Sequence, residues 1–285
     1  SAMSEQLFFC LGFSGLLLLV SEQPLSPRGL ILSAALVGLA GLTRYLGAAF
    51  ILAAFILVWL AGKPLPPRRR WLQTGLYALG AALPLLLWLA WTLFATGTLG
   101  ARTLGAAPPL LALRWSRFQL HTLEILAAWV PYGARAASVL SAQGKLLLIL
   151  VLWAAAAAWG WPAASPALRR LFLTALLFSL AYLVVLGAAF LFADIPPDLI
   201  PRMVSPLWPA HCLAWAATAG ILAQRLERFA PRWVTALPFA GLLLIVLVNA
   251  VYFAPQIGEL ADQGHRDGVG YTTRVWRESP VFEHI

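Results

Sequence analysis

A single arginine, Arg44, interrupts an apolar stretch that runs from Gly29 to Ala61 and holds no other charge. As one helix that stretch would be about 50 Å long at 1.5 Å per residue, against a hydrocarbon core of roughly 30 Å. It is too long for one crossing. A break at Thr43–Tyr45 divides it into two shorter helices, and the first, residues 29–42, reaches only about 21 Å. Such a helix does not cross a full bilayer, so Arg44 is expected at lipid depth near one side, where a cation is costly unless it faces a partner or a wet cavity. An arginine so placed reads as a site for an anion.

The class follows from composition. With 61% hydrophobic and 11% charged residues and 13 tryptophans, the chain is expected to be an all-α, polytopic helical membrane protein rather than a soluble core. A formal charge of +9 would suggest nucleic acid in a soluble protein, but here the basic residues punctuate the ends of apolar runs, and no nucleic-acid partner is expected. Cys10 and Cys212 sit inside apolar runs and are read as core residues, not as a disulfide. His121, His211, His265 and His284 are scattered without a second ligand at helical spacing, so neither a metal nor a cofactor is expected. Leu7 to Val20 has the apolar look of a signal peptide, yet no Lys or Arg precedes Arg28, and the segment is read as a membrane helix.

Apolar segments fall at about 6–20, 29–42, 45–61, 72–94, 145–161, 171–192, 206–223 and 234–253, which makes eight crossings within a membrane region spanning 1–253. The connections holding Arg28, then Lys63 with Arg68–Arg70, then Arg169 and Arg170, then Arg225, Arg228 and Arg232 alternate so as to share one side, which the positive-inside rule makes cytoplasmic. One unbroken crossing over 29–61 would put Arg28 and Arg68–Arg70 on opposite faces, so the alternation supports the break independently. Most acids then face outward. The long external connection 95–143 is expected to hold a helix near Phe118–Trp129, with apolar residues 120, 123, 126 and 130 on one face, either lying in the membrane interface or packed on its neighbours. Residues 254–285 would be external.

Outward-facing cations at helix ends are Arg44, Arg102 after Thr96–Gly100, and Arg202 within the Pro-rich run Asp194–Pro206. Guanidinium groups suit bidentate phosphate binding, and a phosphate at the outer leaflet is a lipid-linked one. The plainer reading is an interfacial anchor or an ion pair with a nearby carboxylate. That reading is preferred for Arg102, balanced for Arg202, and disfavoured for Arg44 because of its depth. Glu5, at the external mouth of the first helix, is either a polar site residue or, preferably, a first-turn carboxylate that complements the helix dipole. Asp194 and Asp198 flank the same Pro-rich loop and could hold Arg202 or bind an acceptor, the simpler reading being a local ion pair. Ala154–Ala158 is a small-residue run that lets helices approach closely.

These residues, in this order, resemble the GT-C class of polyprenyl-phosphate-sugar-dependent glycosyltransferases, specifically the bacterial relatives of protein O-mannosyltransferases and of the lipid A aminoarabinose transferase. The resemblance rests on Ser4–Phe8 opening a helix, Gly38–Gly47 with Thr43-Arg44-Tyr45, Thr96-Gly97 followed by Arg102, Asp194 through Arg202 to Trp208, and Gly270–Pro280. It implies an outward-facing cavity in a bacterial inner membrane protein. There Arg44, Tyr45, Arg202, Arg102 and Glu5 would contact a polyprenyl-phosphate-linked sugar donor, which is transferred to an acceptor hydroxyl on protein, lipid or glycan. Arg44 and Arg202 would hold the donor phosphate and stabilise its charge as the glycosyl bond breaks. The family's catalytic acid lies in a first external loop that would precede Ser4, so this chain is expected to be a fragment with its catalytic residue unknown. Trp91-Thr92 stands where relatives often carry an Arg-Asn pair.

A transporter or lipid flippase would also use a broken helix with a buried arginine. It predicts an inverted repeat, and the Thr43–Tyr45 break has no counterpart in the second half. A non-catalytic lipid-binding scaffold is the third alternative.

Overall fold

The computed structural model describes residues 2–21, 25–96, 108–128, 142–192, 203–231, 233–244, 246–247 and 251. The described residues are helical, without strands: α1 (Ala2–Ser21), α2 (Pro27–Thr43), α3 (Ala48–Ala61), α4 (Pro67–Thr96), α5 (Pro108–Ala128), α6 (Ala142–Gly160), α7 (Pro166–Phe192) and α8 (Leu207–Leu226). A further apolar helical stretch covers Val234–Leu244. Two of the helices, over Pro67–Ala95 and Pro166–Leu191, are long and apolar enough to cross a membrane.

The predicted break is present. α2 starts conventionally, with Ser26 Oγ accepting from the Gly29 N–H and Pro27 at the first helical position. It ends at Thr43, and Arg44 is extended (φ −155°, ψ 139°), followed by a 3-10 turn over Tyr45–Gly47. With 17 residues α2 is about 25 Å long. The chain then reverses. α2 runs alongside α4 in the same direction, since Ser33 meets Tyr77 and Gly38 meets Ala81 and Pro84. α3 runs against α4, since Tyr45 meets Trp88 and Trp59 meets Trp71. Gly47 makes the reversal tight: a Cβ there would lie 2.5 Å from Gly41 Cα and 2.7 Å from the Ala40 carbonyl, so no larger residue fits without moving backbone.

The same contacts order the rest of the bundle. α1 opposes α2, with Gly15 against Ser33 and Val37. α7 runs with α2 and α4, its Phe178 stacked on Phe50 at 4.3 Å. α8 opposes α7, placing Gly220 on Leu168 and Gln224 on the Ser165 N–H. Arg28, Lys63, Arg68–Arg70, Arg169, Arg170, Arg225 and Arg228 therefore gather at one end of the bundle, and the Arg44 turn lies at the other.

The core joins α1, α2, α3 and α7 through Phe8, Leu16, Val37, Phe50, Phe178, Tyr182 and Leu186, all fully buried. Phe13 sits edge-on to Phe50 and close to Phe178, at 5.2 and 5.0 Å. One polar stitch crosses this apolar packing. Ser33 Oγ donates to the Gly15 carbonyl at 2.7 Å and accepts from Tyr77 Oη at 2.9 Å, tying α1, α2 and α4 together. A second cluster joins α6, α7 and α8, where Trp153 Nε1 donates to Thr218 Oγ1 at 2.8 Å.

The described surface carries many exposed apolar side chains: Ile31 is 71% and Phe94 91% exposed, and Leu72, Leu76, Leu83, Leu87 and Trp91 follow the same pattern along α4, as on a face that meets lipid or another protein. Cys10 and Cys212 belong to that surface. The expectation that they are core residues is corrected here, because an apolar position in such a bundle need not point inward. Of the small-residue run, Ala157 is buried while Ala154, Ala155 and Ala158 are exposed, so the close approach of α6 to α8 centres instead on Gly160 against Ile221. The helix expected near 118–129 begins ten residues earlier, at Pro108. It packs on the far end of α7, with Phe118 on Phe190 at 5.3 Å and Arg114 Nη1 donating to the Leu191 carbonyl.

Candidate functional site

The break and the antiparallel pairing of α1 with α2 have a joint consequence. Arg44, leaving the helical path at the end of α2, stands beside the first turn of α1, where Glu5 is the acidic residue. Arg44 Nη2 lies 3.0 Å from Glu5 Oε1. The two side chains are 21% and 22% exposed, so the pair is sheltered but not sealed. The Arg44 N–H still donates to the Ala40 carbonyl, and the Arg44 carbonyl accepts from the Gly47 N–H at 2.8 Å. The backbone is thus satisfied on both sides of the break, and the side chain alone carries the unsolved charge.

Glu5 solves half of it. The other terminal nitrogen, Nη1, is covered by protein and has no hydrogen-bond acceptor among the described residues. A charged donor left that way costs about 1–3 kcal/mol or more. On the same side of the core is a group that sequence reasoning passed over, Tyr182 of α7, the helix that packs against the Tyr45–Gly47 turn following Arg44. Its hydroxyl donates to the Met203 carbonyl. Tyr182 could have been found as a lone phenol in an otherwise apolar helix, a position that favours the protein interior over lipid. Beneath these groups lie the rings of Phe8, Phe50 and Phe178. The site is therefore a guanidinium, a carboxylate and a phenol on an aromatic floor, at the end of the bundle away from the clustered arginines.

The candidates divide accordingly. Arg44 and Glu5 come together. Both plainer readings of Glu5 and Arg44 are realised in one contact, since Glu5 lies in the first helical turn and also pairs with Arg44. Tyr45 points elsewhere: it is half-exposed, and its ring meets Trp88 edge-on at 5.2 Å. Arg102, Arg202, Asp194 and Asp198 lie outside the described residues, and the next described residue after Arg202 is Met203, held by Tyr182. Thr92 Oγ1 donates back to the Trp88 carbonyl of its own helix. Among the described residues no group of three or more His, Cys, Asp or Glu side chains is placed to hold a metal.

A guanidinium with one edge on a carboxylate and one edge spare can bind an oxyanion without losing its first partner, which holds the cation in position. The arrangement is suited to binding an anion and stabilising its charge. No family model, no curated protein and no solved structure matches this chain.

Proposed function

We propose that this chain is the donor-binding region of a polytopic membrane glycosyltransferase of the GT-C kind, with Arg44 contacting the phosphate of a polyprenyl-phosphate sugar at the outer face of a bacterial inner membrane. The observation that carries the reading is the spare edge of Arg44: a sheltered cation positioned by Glu5 with its Nη1 lacking an acceptor. A phosphate oxygen of a lipid-linked donor would supply that acceptor once the side chains covering Nη1 shift to admit it, and Arg44 would stabilise the phosphate charge as the glycosyl bond breaks. Tyr182 and the rings of Phe8, Phe50 and Phe178, buried in the core, would support the site from behind without touching the donor. Arg202, and less strongly Arg102, are the further phosphate contacts that the resemblance implies; Tyr45, packed on Trp88, would serve at most the rim.

Two features support a membrane setting with this orientation. The exposed faces of α2 and α4 are leucine-, isoleucine- and tryptophan-rich, and the basic residues share the end opposite Arg44. The positive-inside rule then assigns eight crossings by α1–α4, α6–α8 and the segment from Val234, with α5 external and Arg44 outward. The rival transporter reading has no observation of its own.

The test is transfer of sugar from a polyprenyl-phosphate donor by the complete protein in membranes, comparing wild type with Arg44→Gln. The reading requires loss of transfer by about two orders of magnitude, as for removal of a preorganised electrostatic contact. Unchanged transfer would end it.

A further inference from the structure

At the end of the bundle opposite Glu5, the close of α6, the Trp161–Ala163 turn, the start of α7 and the close of α8 meet at one junction. Gly160 lies against Ile221, Leu168 against Gly220, and the Ser165 N–H donates to Gln224 Oε1 at 2.6 Å. Three arginines sit here. The Arg169 guanidinium carbon is 5.5 Å from the centre of the Trp161 ring, that of Arg225 is 5.6 Å from Trp159 and 4.8 Å from Phe229, and Arg170 follows Arg169 in α7.

None of the three has a counter-charge among the described residues. In each, Nε is covered by protein and has no acceptor. The acid nearest in sequence, Glu227, is exposed, and the ion pair found in the described residues is elsewhere, at Arg44. A ring face contributes about 0.5–1 kcal/mol to an exposed cation but removes no positive charge. Arginines gathered at one helix junction without a counter-charge raise the local positive potential, and an anion binding there would lower it.

Arg70, at the same end, is a contrasting case. Its Nε donates to the Trp59 carbonyl at 2.7 Å and its guanidinium carbon lies 3.7 Å from the Trp59 ring centre, so it is an anchor with its partners supplied. The junction arginines lack such partners. They are bordered by Trp159, 50% exposed and of a residue type that settles at headgroup depth, and by the apolar ring of Phe229, 69% exposed. A free phosphate would gain nothing from that apolar border, whereas a phospholipid would set its acyl chains against it. From this combination we propose that the junction of α6, α7 and α8 binds the headgroup phosphate of an anionic phospholipid, gripped by Arg169 and Arg225.

The test uses the full chain purified in detergent, melted with added phosphatidylglycerol, phosphatidylcholine or inorganic phosphate. Phosphatidylglycerol is expected to raise the melting temperature by about 5 °C, with neither of the others doing so. Arg169→Gln/Arg225→Gln should weaken the phosphatidylglycerol effect at least tenfold in concentration, while Arg70→Gln should retain it. An equal response to the two lipids, a full response to inorganic phosphate, or an unaltered response in the double variant would each overturn the proposal. If the double variant does not melt cooperatively, native mass spectrometry of the wild type decides: retained phosphatidylglycerol in preference to phosphatidylcholine upholds the site, and equal retention overturns it.

Discussion

The two ends of this bundle handle arginine in opposite ways. At one end Arg44 leaves a helix that stops short, and it is met by a carboxylate from a neighbouring helix 3.0 Å away. At the other end Arg70, Arg169 and Arg225 lie at helix termini over Trp59, Trp161 and Trp159, with no carboxylate on any of them among the described residues. In the proposed topology the difference follows from depth. A cation within the hydrocarbon layer needs a compensating charge from the protein, whereas a cation at the headgroup layer can take its counter-charge from lipid or solvent while aromatic rings orient it. The Arg44–Glu5 pair thus marks the end where charge is expensive, and that is where a ligand anion would be bound most selectively.

The contrast can be broken at several points. The largest effect is expected at the reversal that delivers Arg44: Gly47→Ala drives a methyl into the Gly41 backbone and should cost about 3 kcal/mol, read as a fall in melting temperature in detergent. Next is Glu5→Gln, which leaves the Arg44 charge without its partner and should cost about 2 kcal/mol. Adding Arg44→Gln should recover most of that loss, because the amide pair carries no unbalanced charge; a double variant as unstable as the sum of the single variants would mean that the pair is not coupled. Ser33→Ala removes the stitch to Gly15 and Tyr77 and should cost about 1 kcal/mol in the same assay. The smallest effect belongs to the basic end, where Arg70→Gln gives up a ring contact and a hydrogen bond to the Trp59 carbonyl at a partly exposed helix end and should cost about 1 kcal/mol or less. A larger loss at Arg70 than at Glu5 would reverse the comparison.

The helix break was legible because it is a matter of length: an apolar run of that extent does not fit one crossing, and the only charge in it marks the place to divide it. The shared end of the basic residues was legible for a related reason, since alternation of charge along the chain follows alternation of direction in space. The partner of Arg44 was not. Glu5 is remote in sequence, and its role depends on α1 and α2 lying antiparallel with their ends level, a property of packing at Gly15, Ser33 and Val37. Tyr182 escaped notice for the same reason, its relevance coming only from the helix it faces. Cys10 and Cys212 were misplaced by a rule borrowed from soluble proteins: when both the inside and the surroundings are apolar, hydrophobicity no longer says which way a side chain points.

The most direct test of the central claim is a titration of the full chain with polyprenyl phosphate in detergent, with affinity followed in wild type, Glu5→Gln/Arg44→Gln and Arg169→Gln/Arg225→Gln. Removing both members of the outer pair keeps the charge balance of the site, so a folded protein remains for comparison. Loss of affinity by at least tenfold in the outer variant, with wild-type affinity in the inner one, is the predicted result. Wild-type affinity in the outer variant would contradict a phosphate site at Arg44.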